Sequence, residues 1–252
     1  MKKTNLSPIL SSFFAAFLLF SCATTSIKPG TAANKKFGTD YIVEEIDLTD
    51  DSLEITTYPG KKGFVKPMEI SRFARKKGCF AAINANPFIQ KNRLNPFSEG
   101  KGIGLYVDNG QNILPPNEKY AAIAFFRAEH GFTANVSSSQ AELLTQNPSF
   151  AVGGFWVILE GKTSYTFRDI KDYRSAIGIS KDGTKLYLFA AKNMNYMECA
   201  ELLKKHGAYK ALQLDGGSSS QLYIRGKKFQ NLLIPRNPAV ILGFKNNSTP
   251  IN

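Results

Sequence analysis

Residues 211–224 read ALQLDGGSSSQLYI and set one carboxylate, two glycines and three serines between two stretches that read as strand. A two-residue hairpin needs only a pair such as Asn-Gly, so this join is more polar than turning the chain requires. Gly216 and Gly217 let the backbone turn tightly and bare its N–H groups. Ser218, Ser219 and Ser220 add hydroxyl donors, and the set suits a phosphate or a sugar. Asp215 is the acid or base of the cluster. The plainer alternative is an Asx turn in which Asp215 only holds the loop.

Other familiar chemistries fit poorly. The chain has two histidines, His130 and His206, and His206 ends a helical pattern, where a core or helix-dipole role suffices. A serine nucleophile would lack a base, and no spacing resembles a metal centre. Lys101-Gly102-Ile103-Gly104 lacks the spacing of a phosphate loop and reads as the lead-in to a strand. No cofactor is expected, with a divalent ion left open.

The elements that must position Asp215 are legible around it. Residues 185–191 read as a strand. Asn195 then opens a helix, with Glu198 completing a capping box, with Cys199, Leu202, Leu203 and His206 on the apolar face and with Gly207 as the stop. Residues 211–214 form the next strand, so Asp215 sits at a carboxyl end, where ligand loops gather. Residues 174–180 precede this unit across the turn Lys181-Asp182-Gly183.

Elsewhere hairpins dominate. Residues 41–48 pair with 53–58, 102–107 with 113–114, and 120–127 with 132–136. Residues 79–83 form a buried strand leading into Asn84, 150–159, 221–224 and 238–244 are further strands, and 68–77 and 137–144 are helices. The expected fold is α+β: a single domain with a mixed, largely antiparallel sheet and a few helices covering one face.

Five segments acquire meaning together: Ala82-Ile83-Asn84 with Phe88; Ala151-Val152-Gly153-Gly154; Arg174-Ser175-Ala176-Ile177-Gly178 with Asp182-Gly183; Leu214-Asp215-Gly216-Gly217 with Ser219-Ser220; and Arg236 before Pro238-Ala239-Val240. In that order, from about residue 79 to 244, they resemble the phosphodiester glycosidase family. The resemblance implies an enzyme that cleaves the glycosidic bond of a sugar-1-phosphodiester, N-acetylglucosamine-like, with phosphate leaving. It implies Asp215 as base or nucleophile, Arg174 and Arg236 on the phosphate, Asn84 on sugar hydroxyls or the acetamido group, and Gly216, Gly217, Ser219 and Ser220 as loop donors. Asp169 and Asp172 are candidates for a second acid, and Trp156 for a sugar platform or a core residue.

The chemistry is reasonable on its own terms. An ordinary glycosidase uses two carboxylates because an alkoxide leaves poorly without protonation. A phosphate, whose conjugate acid has a pKa of about 6, departs with charge stabilisation alone, which guanidinium groups supply. The sequence also departs from the family pattern. Ala85 stands where glycine usually follows Asn84, Pro87 stiffens that loop, Ser218 replaces a frequent third glycine, and an extra residue follows Arg236. These bear on loop geometry and substrate choice, and leave open a non-catalytic binder of phosphorylated glycans.

Length and composition set the frame. At 252 residues, 43% hydrophobic and 12% aromatic, the chain can bury a full-sized core. Lys2 and Lys3 precede an apolar run at 9–20 that reads as an export signal, and Leu19-Phe20-Ser21-Cys22 resembles a lipobox in which Cys22 would carry lipid. The expected division is a signal peptide (1–21), a flexible tether (22–37) and the glycosidase-like domain (38–246), lipid-anchored in a bacterial envelope. The formal charge of +12 is scattered over turns, which points to anionic substrates or envelope surfaces and away from nucleic acid. Cys79 and Cys199 read as buried thiols, with a disulfide left open.

Overall fold

The computed structural model describes residues 40–92, 94–95, 97–163, 170–231 and 235–247. The expected signal, Cys22, the tether and Asp169 lie outside them. All the described residues fall in one compact unit.

The strand Lys185–Met194 shows how the sequence builds the layers. It lies inside a ten-stranded sheet, between Tyr41–Asp47 and Asp172–Ile179, and its residues 186–191 are all buried. Alternation divides them. Leu186, Leu188 and Ala190 face the central core with Ile177, Leu212, Leu242 and Phe244. Tyr187, Phe189 and Ala191 face outward, where Cys199, Ala200 and Leu203 of the helix Tyr196–Lys205 cover them. Truncating one of these leucines to alanine removes about 2–5 kcal/mol.

A second sheet runs in the order Lys227–Gln230, Gln221–Ile224, Ala81–Asn84, Ile241–Asn246, Leu53–Tyr58. Its inner face supplies Ile55, Ile83, Leu222, Leu242 and Phe244 to the same core, and the helix Ile70–Lys77 covers its outer face. Gly243 permits that cover, because a Cβ there would stand 2.7 Å from a Phe73 ring carbon and 2.8 Å from the Cys79 sulfur. The fold is therefore α+β as read, with most strands divided between two facing sheets, a helix on the outer side of each, and a separate two-stranded sheet formed by Phe88–Gln90 and Gly100–Gly102. Helices confined to one face were expected, but each sheet has an apolar outer face to cover. Every ladder among the described strands is antiparallel. Lys185–Met194 and Lys210–Gln213 run parallel to each other only with Asp172–Ile179 inserted between them.

Two pairings differ from expectation. Tyr41–Asp47 pairs with Lys185–Met194, and Leu53–Tyr58 pairs with Ile241–Asn246, so the intervening residues carry the chain between sheets and are not a hairpin turn. Asp47 accepts from the Thr49 N–H at 2.9 Å and Asp50 from the Ser52 N–H at 2.9 Å, two successive Asx turns that form the corner. Likewise Gly100–Gly102 pairs with Phe88–Gln90, while Tyr106–Asp108 pairs with Gln111–Leu114. Gly104, at φ +80°, separates the two. The expected pair formed by Ala121–Arg127 and Phe132–Ser137 is present.

The capping box forms as read: Asn195 Oδ1 accepts from the Glu198 N–H and Glu198 accepts from the Asn195 N–H. Cys79 and Cys199 are buried free thiols, and burial pushes them up to about 11 and about 12. Among the described residues no helix is long and apolar enough to cross a membrane.

Candidate active site

The polar stretch at 214–220 is a crossing between the two sheets. Lys210–Gln213 belongs to the ten-stranded sheet and Gln221–Ile224 to the five-stranded one, so a hairpin turn could not serve. The Leu214 N–H donates to Ser175 O at 2.8 Å and the Asp215 N–H to Ala85 O at 3.1 Å. The chain then folds through a short 3₁₀ turn, Gly217–Ser219, into the second sheet.

The surroundings require a glycine at 217. Gly217 has φ +61°, and a Cβ there would stand 3.1 Å from Asp172 Oδ2. Gly216 lies over the start of the strand Asp172–Ile179, and a Cβ there would stand 3.4 Å from Arg174 Nη1. The glycines thus bring the backbone down onto Asp172 and Arg174.

Asn84, at the end of its strand, is fully buried. Its Nδ2 donates to Asp215 O at 2.7 Å and its Oδ1 accepts from the Gln221 N–H at 2.9 Å. One side chain therefore fixes both ends of the crook. The expectation that Asn84 contacts the sugar is corrected: it positions the loop from beneath.

Asp215 keeps 17% of its side chain exposed and pairs with Arg236, whose Nη2 stands 3.2 Å from Asp215 Oδ2. Arg236 Nε donates to Ser219 Oγ at 2.9 Å, and Ser219 in turn hydrogen-bonds Asp215. The guanidinium lies 4.3 Å over the ring of Phe88, and the Arg236 N–H holds Ser218 O at 2.8 Å. Burial pushes the Asp215 carboxyl above its ordinary value, opposed by Ser219, Arg236 and the Gly216 N–H. Ser219 and Ser220 are fully buried, and Ser220 Oγ has no hydrogen-bond partner among the described residues. As hydroxyl donors to a ligand these two are therefore corrected: Ser219 instead links Arg236 to Asp215.

Arg174 is brought to the crook as expected, but not as an open fork. Its Nε donates to Met194 O at 3.1 Å, its Nη2 donates to Ile170 O, and its plane lies 4.2 Å over Tyr196. Its Nη1 edge is the part beside Gly216. Arg236, with 28% of its side chain exposed, is the more accessible cation.

Tyr196 was missed by sequence reasoning. It opens the capped helix at the carboxyl end of Lys185–Met194, the same end of the strand-helix-strand unit as Asp215, and that position was the available signal. Burial raises its phenol, Arg174 opposes this, and the charges of Asp172 and Asp215 add to it. Asp172 is thus the second carboxylate of the cluster, while Trp156 packs against the core. Among the described residues no three His, Cys, Asp or Glu side chains come together as metal ligands.

The arrangement is one largely buried carboxylate with a guanidinium on it, a second guanidinium under the adjoining glycine, and a second acid alongside. Such a set can act on an electrophilic carbon bearing an anionic leaving group.

Comparison with known proteins bears on this site. Among solved structures the chain is similar to the zebrafish N-acetylglucosamine-1-phosphodiester alpha-N-acetylglucosaminidase catalytic domain auto-inhibited by its pro-peptide, with 18% identity, a TM-score of 0.59, and 86% of this chain and 87% of that one covered. It is also similar to a Burkholderia pseudomallei protein, with 10% identity, TM-score 0.64, and 81% and 73% covered. A hypothetical protein from Synechocystis gives 16% identity, TM-score 0.59, and 83% and 60% covered. At these identities the likeness is one of fold. No curated protein matches. The sequence itself matches the phosphodiester glycosidase profile over residues 77–243, a span that holds Asn84, Arg174, the whole crook and Arg236, and on that match the chain belongs to the phosphodiester glycosidase family.

Proposed function

We propose that the protein hydrolyses the glycosidic bond of a sugar-1-phosphodiester, N-acetylglucosamine-like, at a bacterial envelope surface to which Cys22 anchors it through lipid. The observation that carries the chemistry is the Asp215–Arg236 pair at 3.2 Å, mounted on a crook that also touches Arg174 and Asp172. Asp215 serves as base toward water or as nucleophile toward the anomeric carbon. The departing phosphate needs little protonation and is steadied by Arg236, with the Nη1 edge of Arg174 behind Gly216. Drawing Arg236 toward that phosphate removes a stabilising cation from Asp215, which makes the carboxylate more basic as the substrate seats.

The test is hydrolysis of a glycosyl-1-phosphodiester by the full chain and by its Asp215→Asn variant. The expected loss is about 10²–10⁴-fold in turnover, the range for removing a positioned acid or base. Binding without turnover in both proteins would instead identify a receptor for phosphorylated glycans.

A further inference from the structure

Five large apolar side chains are exposed among the described residues, and four of them, Phe64, Ile89, Leu94 and Phe97, lie on or beside one hairpin. Its strands are Phe88–Gln90 and Gly100–Gly102. Two-sidedness follows from the register. Phe88 and Gly100 face inward, with Phe88 beneath Arg236 and packed with Val65 and Ala239. Ile89 and Lys101, directly paired, face outward. Val65 bridges to Gly100 by two hydrogen bonds of 2.8 Å, which sets Phe64 beside Lys101.

The tip is built to display its apolar groups. Asn92 Oδ1 accepts from the Leu94 N–H and Asn95 Oδ1 from the Phe97 N–H, each at 2.9 Å. Ser98 Oγ donates to Asn92 O at 2.8 Å, and Lys91 pairs with Glu99 at 3.1 Å across the base. Held in this way, Leu94 is 95% exposed and Phe97 81% exposed. Cations flank the base of the display. Lys61 and Lys62 precede Phe64 and are exposed, and Lys62 and Lys101 line an open groove of about 350 Å³ with Ile113, Leu114 and Pro115, which none of the residues around Asp215 lines.

Protruding apolar side chains flanked at their base by lysines match a bilayer interface carrying negative headgroups: the hydrocarbon enters the acyl boundary and the ammonium groups stay among the phosphates. A second protein would more often meet a flatter patch with aromatic anchors seated in pockets. We infer that this hairpin is a membrane-docking element, and that its partner is the surface of an anionic bilayer. The inference stands apart from the catalytic reading, since it uses the opposite face of the hairpin from Phe88.

A local probe tests it in the full chain whatever the N-terminus does. In a Phe97→Trp variant, with the parent's Trp156 signal subtracted, the new indole is quenched by lipids brominated in the acyl chain when vesicles contain phosphatidylglycerol. Quenching falls with added salt and is weak on phosphatidylcholine alone. A further Leu94→Ser change cuts the insertion about tenfold or more, from the apolar area withdrawn. Absence of quenching on vesicles with which the chain co-sediments overturns the proposal. So does equal quenching on both lipids, which removes the lysines' role, and so does an indole signal that changes with protein concentration without lipid, which assigns the tip to self-association.

Discussion

Asn84 and Asp215 are joined by a 2.7 Å hydrogen bond that runs from the amide of the first to the main-chain carbonyl of the second. The same amide receives the Gln221 N–H, so a buried side chain in the five-stranded sheet sets where the carboxylate of the crook stands. Asn84→Ala leaves a part-buried carbonyl and a buried N–H unpaired, the latter worth about 1–3 kcal/mol. The variant is expected to unfold at lower denaturant and to lose turnover more than substrate affinity, since the loop is displaced while Arg236 remains. Urea titration and steady-state kinetics check both parts.

Asp215 lies above its ordinary carboxyl value of 3.8 because burial outweighs its hydrogen bonds and the Arg236 charge. If the ionised form is the working one, the acid limb of kcat/KM lies above that value. Removing a nearby cation raises a carboxyl further, so Arg236→Ala should move the limb to higher pH as well as lower its plateau. A pH–rate profile reads the shift, and a lowered plateau with an unmoved limb would separate Arg236 from Asp215.

Gly217 combines φ +61° with an Asp172 oxygen 3.1 Å from the site of a Cβ. Gly217→Ala should destabilise the protein by about 1 kcal/mol and reduce activity by displacing Asp172 or the crook. Gly226 is the control, with φ +88° and nothing within 4 Å: alanine there should carry the backbone strain while leaving turnover near that of the parent.

Glu44 is buried in the edge strand Tyr41–Asp47. Arg225 Nη2 stands 3.3 Å from its Oε1, but Arg225 is 51% exposed and Oε1 lacks a hydrogen bond among the described residues. Burial therefore raises its pKa above 4.5, with Arg225 only partly opposing. A raised carboxyl binds its proton more tightly in the folded state, so its unfavourable effect is absent below the unfolded value and grows as pH rises toward the folded one. Glu44→Gln should match the parent at low pH and become the more stable of the two above about pH 4.5. Denaturant midpoints measured across that range decide it.

Local rules carried the reading where they govern. The capping box at Asn195 and Glu198, the strand Phe150–Leu159 and the glycine-serine crook depend on short-range geometry and were legible. Pairing was less so: the stretches on either side of Asp50-Asp51 look like a hairpin, yet their hydrogen-bonding edges are taken by Lys185–Met194 and Ile241–Asn246, more than a hundred residues away. At the site, residue types singled out Asp215 and the family resemblance added Arg174 and Arg236, and the structure places all three together. They did not show that Asn84 and Ser219 face inward, because an amide or hydroxyl has the same letter whether it meets a ligand or the backbone. Tyr196 was hidden for a related reason, since an aromatic at a helix start has the same letter whether it packs in the core or lies over a guanidinium.

The crook spans the space between two sheets, with Arg174 rooted in one and Asn84 in the other. Reactivity is thereby coupled to how far apart the two layers sit, and that separation is fixed by aliphatic side chains such as Leu188 and Leu242 that never see solvent. Adding or removing a methylene deep between the layers retunes the carboxylate from a distance, so that substrate preference in such a scaffold can drift through its interior while every polar residue at the surface stays the same.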